Sequence, residues 1–350
     1  MKLLSICVPT YNRVAAFKKL YETFLLRVLC EYSASVELVV CDNSDANIAA
    51  ANHEILDSRV KYCHNDINIG FAGNFARCVQ ESTARFVWII SDDDLIVWEG
   101  FVSMLKTLQD NEHSNIDCFM VPFFSKTPFG DIVLYNRSSD WNLKAETTVA
   151  ELVSTNQCPF VLFSSGVLRV DKSSLARMPK KYVKNAYIQT ILFLSMLRAD
   201  SKIRFLNVAA IEYQPGYIGQ TVGVIEMATS LFDVRRYTEE QFGAKPAYDS
   251  DYRGWLLWMF HHRGGFYYLL NADSERWQLL ASLHKHLGVK SILLSVVIVL
   301  PKFMARPIYL VYKTLTDARV YGRTSLRDIV LRFSVNHKFI SEIRRHHPVK

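Results

Sequence analysis

Apolar residues in the first part of the chain fall into short runs separated by stretches of helical spacing. Leu3-Leu4-Ser5-Ile6-Cys7-Val8 has no period and is stopped by Pro9-Thr10-Tyr11-Asn12-Arg13. Such a run predicts a strand buried on both faces. Helical spacing follows from Val14 to about Leu29. Val36–Cys41 then predicts a second strand, ended by Asp42-Asn43-Ser44-Asp45. Ala46–Leu56 predicts a short helix and Val60–Cys63 a third strand. Asn68-Ile69-Gly70-Phe71-Ala72-Gly73-Asn74 opens a helix to about Ser82. Phe86–Ile90 is the fourth strand and runs through Ser91 into Asp92-Asp93-Asp94.

This β-α alternation predicts a parallel sheet with right-handed crossovers, in which ligands sit beyond the carboxyl ends of the strands. Each predicted strand ends in polar residues: Thr10, Asn12 and Arg13; Asp42 and Asn43; Asn65 and Asp66; Asp92–Asp94. A repeated polar edge implies one shared site. Three adjacent carboxylates repel one another, and a hard divalent ion, Mg²⁺ or Mn²⁺, that also binds a diphosphate would neutralise them. The alternative is an acidic turn that caps the following helix.

Further on, Trp98–Leu108 predicts an amphipathic helix, and Ile116–Phe124 and Asp131–Tyr135 predict strands. Phe160–Leu168 reads as a buried strand with a small-residue break at Ser164-Ser165-Gly166. That break could floor an acceptor pocket or mark a bulge.

Composition sharpens this picture in three ways. At 350 residues, half of them hydrophobic and 13% aromatic, the chain is no disordered segment and has room for two domains or one elaborated one. Its seven cysteines are scattered and never spaced as Cys-x-x-Cys, which argues for reduced thiols in a cytosolic setting. Leu3–Val8 reads as a first strand rather than a signal peptide, since no small-residue cleavage site follows.

Charge is uneven. From Lys285 onward there are 13 basic and 3 acidic residues, a net +10, which leaves −3 for residues 1–284. The apolar run Ser291–Leu300 lies between Lys290 and Lys302. It is shorter than the roughly 20 residues that a membrane span needs. Lys302, Arg306 and Lys313 alternate with aromatic and aliphatic residues, a pattern suited to an anionic membrane surface. A buried helix with a solvated basic face is the alternative. The acidic-leaning remainder argues against nucleic acid as a partner. His261-His262 could add a metal ligand or form an interfacial pair on a helix.

Taken together, Cys7–Arg13, Asp42-Asn43-Ser44, Asn68-Ile69-Gly70 and Asp92–Asp94 resemble the family 2 glycosyltransferases of the GT-A fold. Within that family the similarity is greatest to bacterial O-antigen and capsule enzymes of the abequosyltransferase type, over roughly residues 3–125. The resemblance implies an α/β, Rossmann-like, mostly parallel sheet flanked by helices, with a helical, basic C-terminal extension. It implies that Pro9, Thr10, Tyr11, Asn12, Arg13, Asp42, Asn43, Asn68, Gly70 and Asn74 line a nucleotide-sugar site. Asp92 and Asp93 would join them, and Asp92, Asp93 and Asp94 would hold the metal, with the register of the Asp-x-Asp motif open. The chemistry of the residues agrees: Asp42 can accept a pyrimidine N–H, Tyr11 can lie along a base, and Gly70 permits close backbone approach. Asp42 could instead cap the next helix, Gly70 could merely complete a turn, and Arg13 could pair with Glu22.

One departure stands out. Inverting members of the family carry a Glu-Asp pair where this chain reads Tyr182–Gln189, which holds no carboxylate. Asp171, Glu151 and Glu212 are substitutes to consider for the general base, and a retaining course is possible without one. The expected organisation is a nucleotide-sugar-binding half (1–125), an acceptor-binding half (126–225) and a membrane-associating region (226–350). The expected activity is metal-dependent sugar transfer to a lipid-linked oligosaccharide, by a cytoplasmic enzyme peripheral to the inner membrane. The alternatives are a sugar-1-phosphate nucleotidyltransferase or a non-catalytic sugar- or nucleic-acid-binding protein.

Overall fold

The computed structural model describes residues 1–126, 132–155, 160, 162–177, 180–183, 185, 187–213 and 224–243. His261-His262, Asp131, Cys158 and the basic C-terminal segment lie outside the described residues. The chain divides into two compact units. The first, Met1–Thr127, Ile132–Pro215 and Leu231–Ala247, carries both sheets described below. The second comprises Pro128–Asp131, Gly216–Ser230 and Tyr248–Lys350, and of it only residues 224–230 are described.

In chain order the elements begin with β1 (Leu4–Thr10) and α1 (Val14–Leu20). A π-helical turn (Tyr21–Leu25) carries α1 into α2 (Leu26–Tyr32). Next come β2 (Val36–Asp42), α3 (Ala46–Glu54), β3 (Lys61–His64), α4 (Gly70–Glu81), β4 (Phe86–Ile89), β5 (Leu95–Ile96) and α5 (Trp98–Asp110). The second half holds β6 (Ile116–Met120), β7 (Phe123–Lys126), β8 (Ile132–Tyr135), β9 (Glu146–Thr148), α6 (Val149–Ser154) and β10 (Gly166–Arg169). It closes with α7 (Ile188–Ser195), β11 (Lys202–Phe205), β12 (Ile211–Glu212) and α8 (Val224–Phe242).

Eight strands form one sheet in the order β3-β2-β1-β4-β10-β6-β11-β9, and four form a second in the order β5-β12-β7-β8. The first four strands are parallel, as the alternation predicts. Beyond them the sheet is mixed, because β10 runs antiparallel to both β4 and β6. β1 and β4 carry almost no exposed residue, which is why their sequences are apolar without a period. On one face Trp88 stacks parallel to Phe101 at 6.2 Å, and Phe24 meets both rings edge-on.

Two expected strands are corrected. Ile116–Phe124 is not one strand but two, β6 and β7, in different sheets. Pro122, which has no N–H to donate, marks the point where the chain leaves the first ladder. Phe160–Leu168 is a strand only from Gly166. Phe160 has φ +56° and Phe163–Ser165 forms a 3₁₀ turn. Gly166 fills no bulge: a Cβ there would lie 2.9 Å from the rings of Phe160 and Phe193, which stack on each other.

Candidate active site

Because β1, β2 and β3 are parallel and in register, Thr10, Asp42 and His64 lie side by side at their carboxyl ends. The ladder continues into the loops, with Asn43 N–H donating to Thr10 O (3.0 Å) and Asn65 N–H to Asp42 O (2.8 Å). The β4 ladder extends to Ile90, whose N–H reaches Cys7 O, so Ser91–Asp94 emerge beside Thr10–Arg13.

Arg13 connects the two loops. Its Nη1 donates to Oδ1 of Asp92 at 2.7 Å and its Nη2 to Oδ2 of Asp93 at 2.6 Å. Thr10 Oγ1 donates to Oδ2 of Asp92 at 2.7 Å. The Glu22 pairing is thereby excluded, and Glu22 meets Lys18 instead. Asp94 turns back on its own loop, its Oδ2 accepting the Ser91 N–H at 2.8 Å. Burial pushes the Asp92 carboxyl up to about 6 against the pull of Arg13 and Thr10, and pushes Asp94 up to about 7. Burial also works against the charge of Arg13, but Asp92 and Asp93 outweigh it and raise its pKa.

Several expected contact residues face inward instead. Asp42 is fully buried, and its carboxylate accepts Ser44 N–H (2.7 Å), Asn52 Nδ2 (2.7 Å) and the Tyr62 hydroxyl (2.8 Å). It neither caps α3 nor presents an acceptor to a base. Asn43 and Asn74 are buried as well. Asn65 Nδ2 donates to the side-chain oxygens of both, while Asn74 Nδ2 reaches Cys41 O at 2.8 Å. Asn43 also donates to Gly70 O at 3.1 Å. These amides staple the loops; the exposed members of the expected set are Tyr11, Asn12, Arg13, Asn68, Gly70 and Asp93. Asn12, at φ +53°, pairs reciprocally with Asp45 and so locks the first loop to the second. Gly70, at φ +73°, opens α4 in a conformation other residues resist, and Asn68 Oδ1 accepts its N–H at 2.8 Å.

The substitutes for a general base separate cleanly. Asp171 follows β10, whose Arg169 is paired with Phe86 at the start of β4. It therefore sits at the opposite edge of the sheet from Asp92–Asp94, where its Oδ1 accepts the Ser173 hydroxyl and N–H. Glu151 forms the capping box of α6 with Thr148. Glu212, in contrast, is paired in register with Leu95, the residue after Asp94, and makes an ion pair with Lys126 at 2.9 Å. In the carboxylate-free Tyr182–Gln189 stretch, Asn185 Nδ2 donates to Asp233 of α8 at 3.3 Å, a contact nothing in the local sequence announces.

Ser164, part of the small-residue break before β10, sits in the 3₁₀ turn Phe163–Ser165. Its hydroxyl is fully buried and lies beside Asp94, close enough to favour the charged carboxylate. No group of three His, Cys, Asp or Glu side chains able to hold a metal occurs among the described residues. The hard oxygens of Asp93 and Asp94 fit a divalent ion only in the manner in which one or two carboxylates hold it and phosphates and water complete the shell.

An acidic turn and an arginine meeting at the carboxyl edge of a parallel sheet agree with what comparison finds. Residues 5–171 match the family described as Glycosyl transferase family 2. This stretch is a family 2 glycosyltransferase domain. Over 117 residues the chain is 24% identical to the abequosyltransferase RfbV of Salmonella typhimurium, covering 31% of this chain and 33% of that protein. The match thus spans about a third of the curated relative. TarS 1–349 of S. aureus superposes with a TM-score of 0.52 at 15% identity, over 100% of this chain and 93% of that one. Its complex with UDP-GlcNAc gives 0.54 at 16%, over 92% and 93%. The glycosyltransferase domain accordingly has the mixed α/β architecture of the GT-A fold. Among the described residues, no helix is long and apolar enough to cross a membrane.

Proposed function

We propose that the chain transfers a glycosyl group from a nucleoside diphosphate sugar to a hydroxyl of a lipid-linked glycan of the O-antigen or capsule type. The observation that supports this most directly is the convergence of Arg13 and Asp92–Asp94 beside the exposed Tyr11 at one sheet edge. The likeness to TarS bound to UDP-GlcNAc and to an abequosyltransferase supports a sugar-nucleotide donor. In the reaction an acceptor oxygen bonds to the anomeric carbon as the bond to the β-phosphate oxygen breaks. The diphosphate leaves with the electron pair, and the acceptor proton passes to a base. Arg13 supplies positive charge where the leaving group gathers negative charge. A divalent ion, held by Asp94 and Asp93 when bound, would supply further neutralisation. Glu212 is the carboxylate next to the acidic turn on which the proton could be received. The +10 C-terminal segment supports work at an anionic, cytoplasmic membrane face.

Thermal stabilisation by UDP-, GDP-, CDP- and dTDP-sugars, with and without Mn²⁺, tests the donor. One nucleotide class should raise the midpoint, by about 2.7 kcal/mol of stability at a hundred times its dissociation constant. No shift with any of them would remove the donor reading.

A further inference from the structure

Two of the three aspartates in the acidic turn already have partners. Arg13 forks across Asp92 and Asp93, at 2.7 and 2.6 Å. The second oxygen of each is also engaged, by the Thr10 hydroxyl at 2.7 Å and the Ser91 hydroxyl at 2.5 Å. Four carboxylate oxygens therefore have four donors, and the guanidinium halves the charge that the pair presents. Asp94 lies outside this fork. Beside it lies the buried Ser164 hydroxyl, which favours the charged Asp94 carboxylate.

We propose that Arg13 is a resident counter-cation of Asp92 and Asp93, which keeps a free divalent ion off the pair and yields it when a diphosphate arrives with the ion. This rests on the donor reading above. Three features support the exchange. The Arg13 side chain is 40% exposed and sits in a loop before α1, so it can swing without breaking the sheet. Of its two ion pairs the one to Asp93 is exposed at both ends, 40% and 30%, and exposed pairs are weak and readily given up. A diphosphate offers the guanidinium the same bidentate match that it leaves behind. Ion and diphosphate must then favour one another's binding equally, because the coupling is reciprocal.

The test is a titration of the full-length chain with Mn²⁺, in the absence of nucleotide, with free Mn²⁺ followed by electron paramagnetic resonance. Arg13→Gln should bind Mn²⁺ about fivefold tighter or more than the wild type. Arg13→Lys, a point charge that cannot bridge both carboxylates, should fall between them, and it serves if the glutamine variant does not fold. Inorganic pyrophosphate should raise the wild-type affinity and close the gap. Equal or weaker Mn²⁺ binding by both variants, or none by any protein, overturns the proposal. Failure of the donor reading looks different: no sugar nucleotide stabilises any of the three proteins, while the Mn²⁺ comparison still reads out.

Discussion

The Tyr62 hydroxyl lies 2.8 Å from a carboxylate oxygen of Asp42, which is fully buried. With Asn52 and the Ser44 N–H it makes Asp42 the acceptor for three donors. Burial and this contact together raise the Tyr62 pKa. Asp42→Ala strands the Asn52 amide and the Ser44 N–H, while the Tyr62 hydroxyl keeps Ala49 O at 2.9 Å, and should cost on the order of 2–3 kcal/mol of stability. Chemical denaturation checks this. A variant as stable as the wild type but weaker in nucleotide binding would return Asp42 to the binding surface.

The acidic turn should divide by role. Replacing Asp92, Asp93 and Asp94 by Asn one at a time should abolish transfer for at least one, with Asp94 the expected case, while circular dichroism stays native. Full activity in all three variants, or in excess chelator, would end the metal–diphosphate role.

Sheet direction predicts a contrast between two other carboxylates. Asp171→Asn, at the far edge, should leave turnover within a factor of about two, since surface changes rarely matter beyond a few tenths of a kcal/mol. Glu212→Gln should lower kcat by about a hundredfold or more if it receives the acceptor proton. Equal activity of the two variants would exclude Glu212 as the base.

Asp92 and Asp94 set a pH dependence. Their folded pKa values of about 6 and about 7 lie above those of an unfolded aspartate. A carboxyl raised in this way adds stability below about pH 4, which is lost as pH rises through the folded value. The metal-free protein should therefore lose stability between about pH 4 and 7, and Asp94→Asn should flatten part of that slope. Urea midpoints across the range, in chelator, decide it; parallel curves would mean that Asp94 is an ordinary carboxyl.

The basic C-terminal segment predicts attachment to anionic liposomes at low salt, released in part at high salt because the attraction decays over about 8 Å at physiological ionic strength. Truncation after Leu287 should abolish co-sedimentation and leave nucleotide binding intact. Full-length protein that stays in the supernatant would end the membrane reading.

Much of the first half is legible without coordinates. Apolar runs of strand length, separated by helical spacing, place β1 to β4 within about a residue or two, and polar residues after each run mark the edge where the site forms. The second half is less so. A proline shunts one apolar run into two sheets, and an aromatic residue in a left-handed conformation shortens another. Both depend on contacts that no local window contains.

Hydrophobic periodicity alone determined the strand–helix alternation and hence the edge at which the polar loops gather, because it records which positions must leave water. It could not determine where polar side chains at that edge point. Asp42, Asn43 and Asn74 turn inward to satisfy buried donors and carbonyls, since an unpaired polar group in the interior costs more than a contact at the surface returns. Nor could it pair Arg13 with Asp92, 79 positions away, or send Asp171 to the far edge through an antiparallel β10. Those outcomes belong to tertiary structure, because charge pairing and strand direction are settled only when distant segments share one sheet.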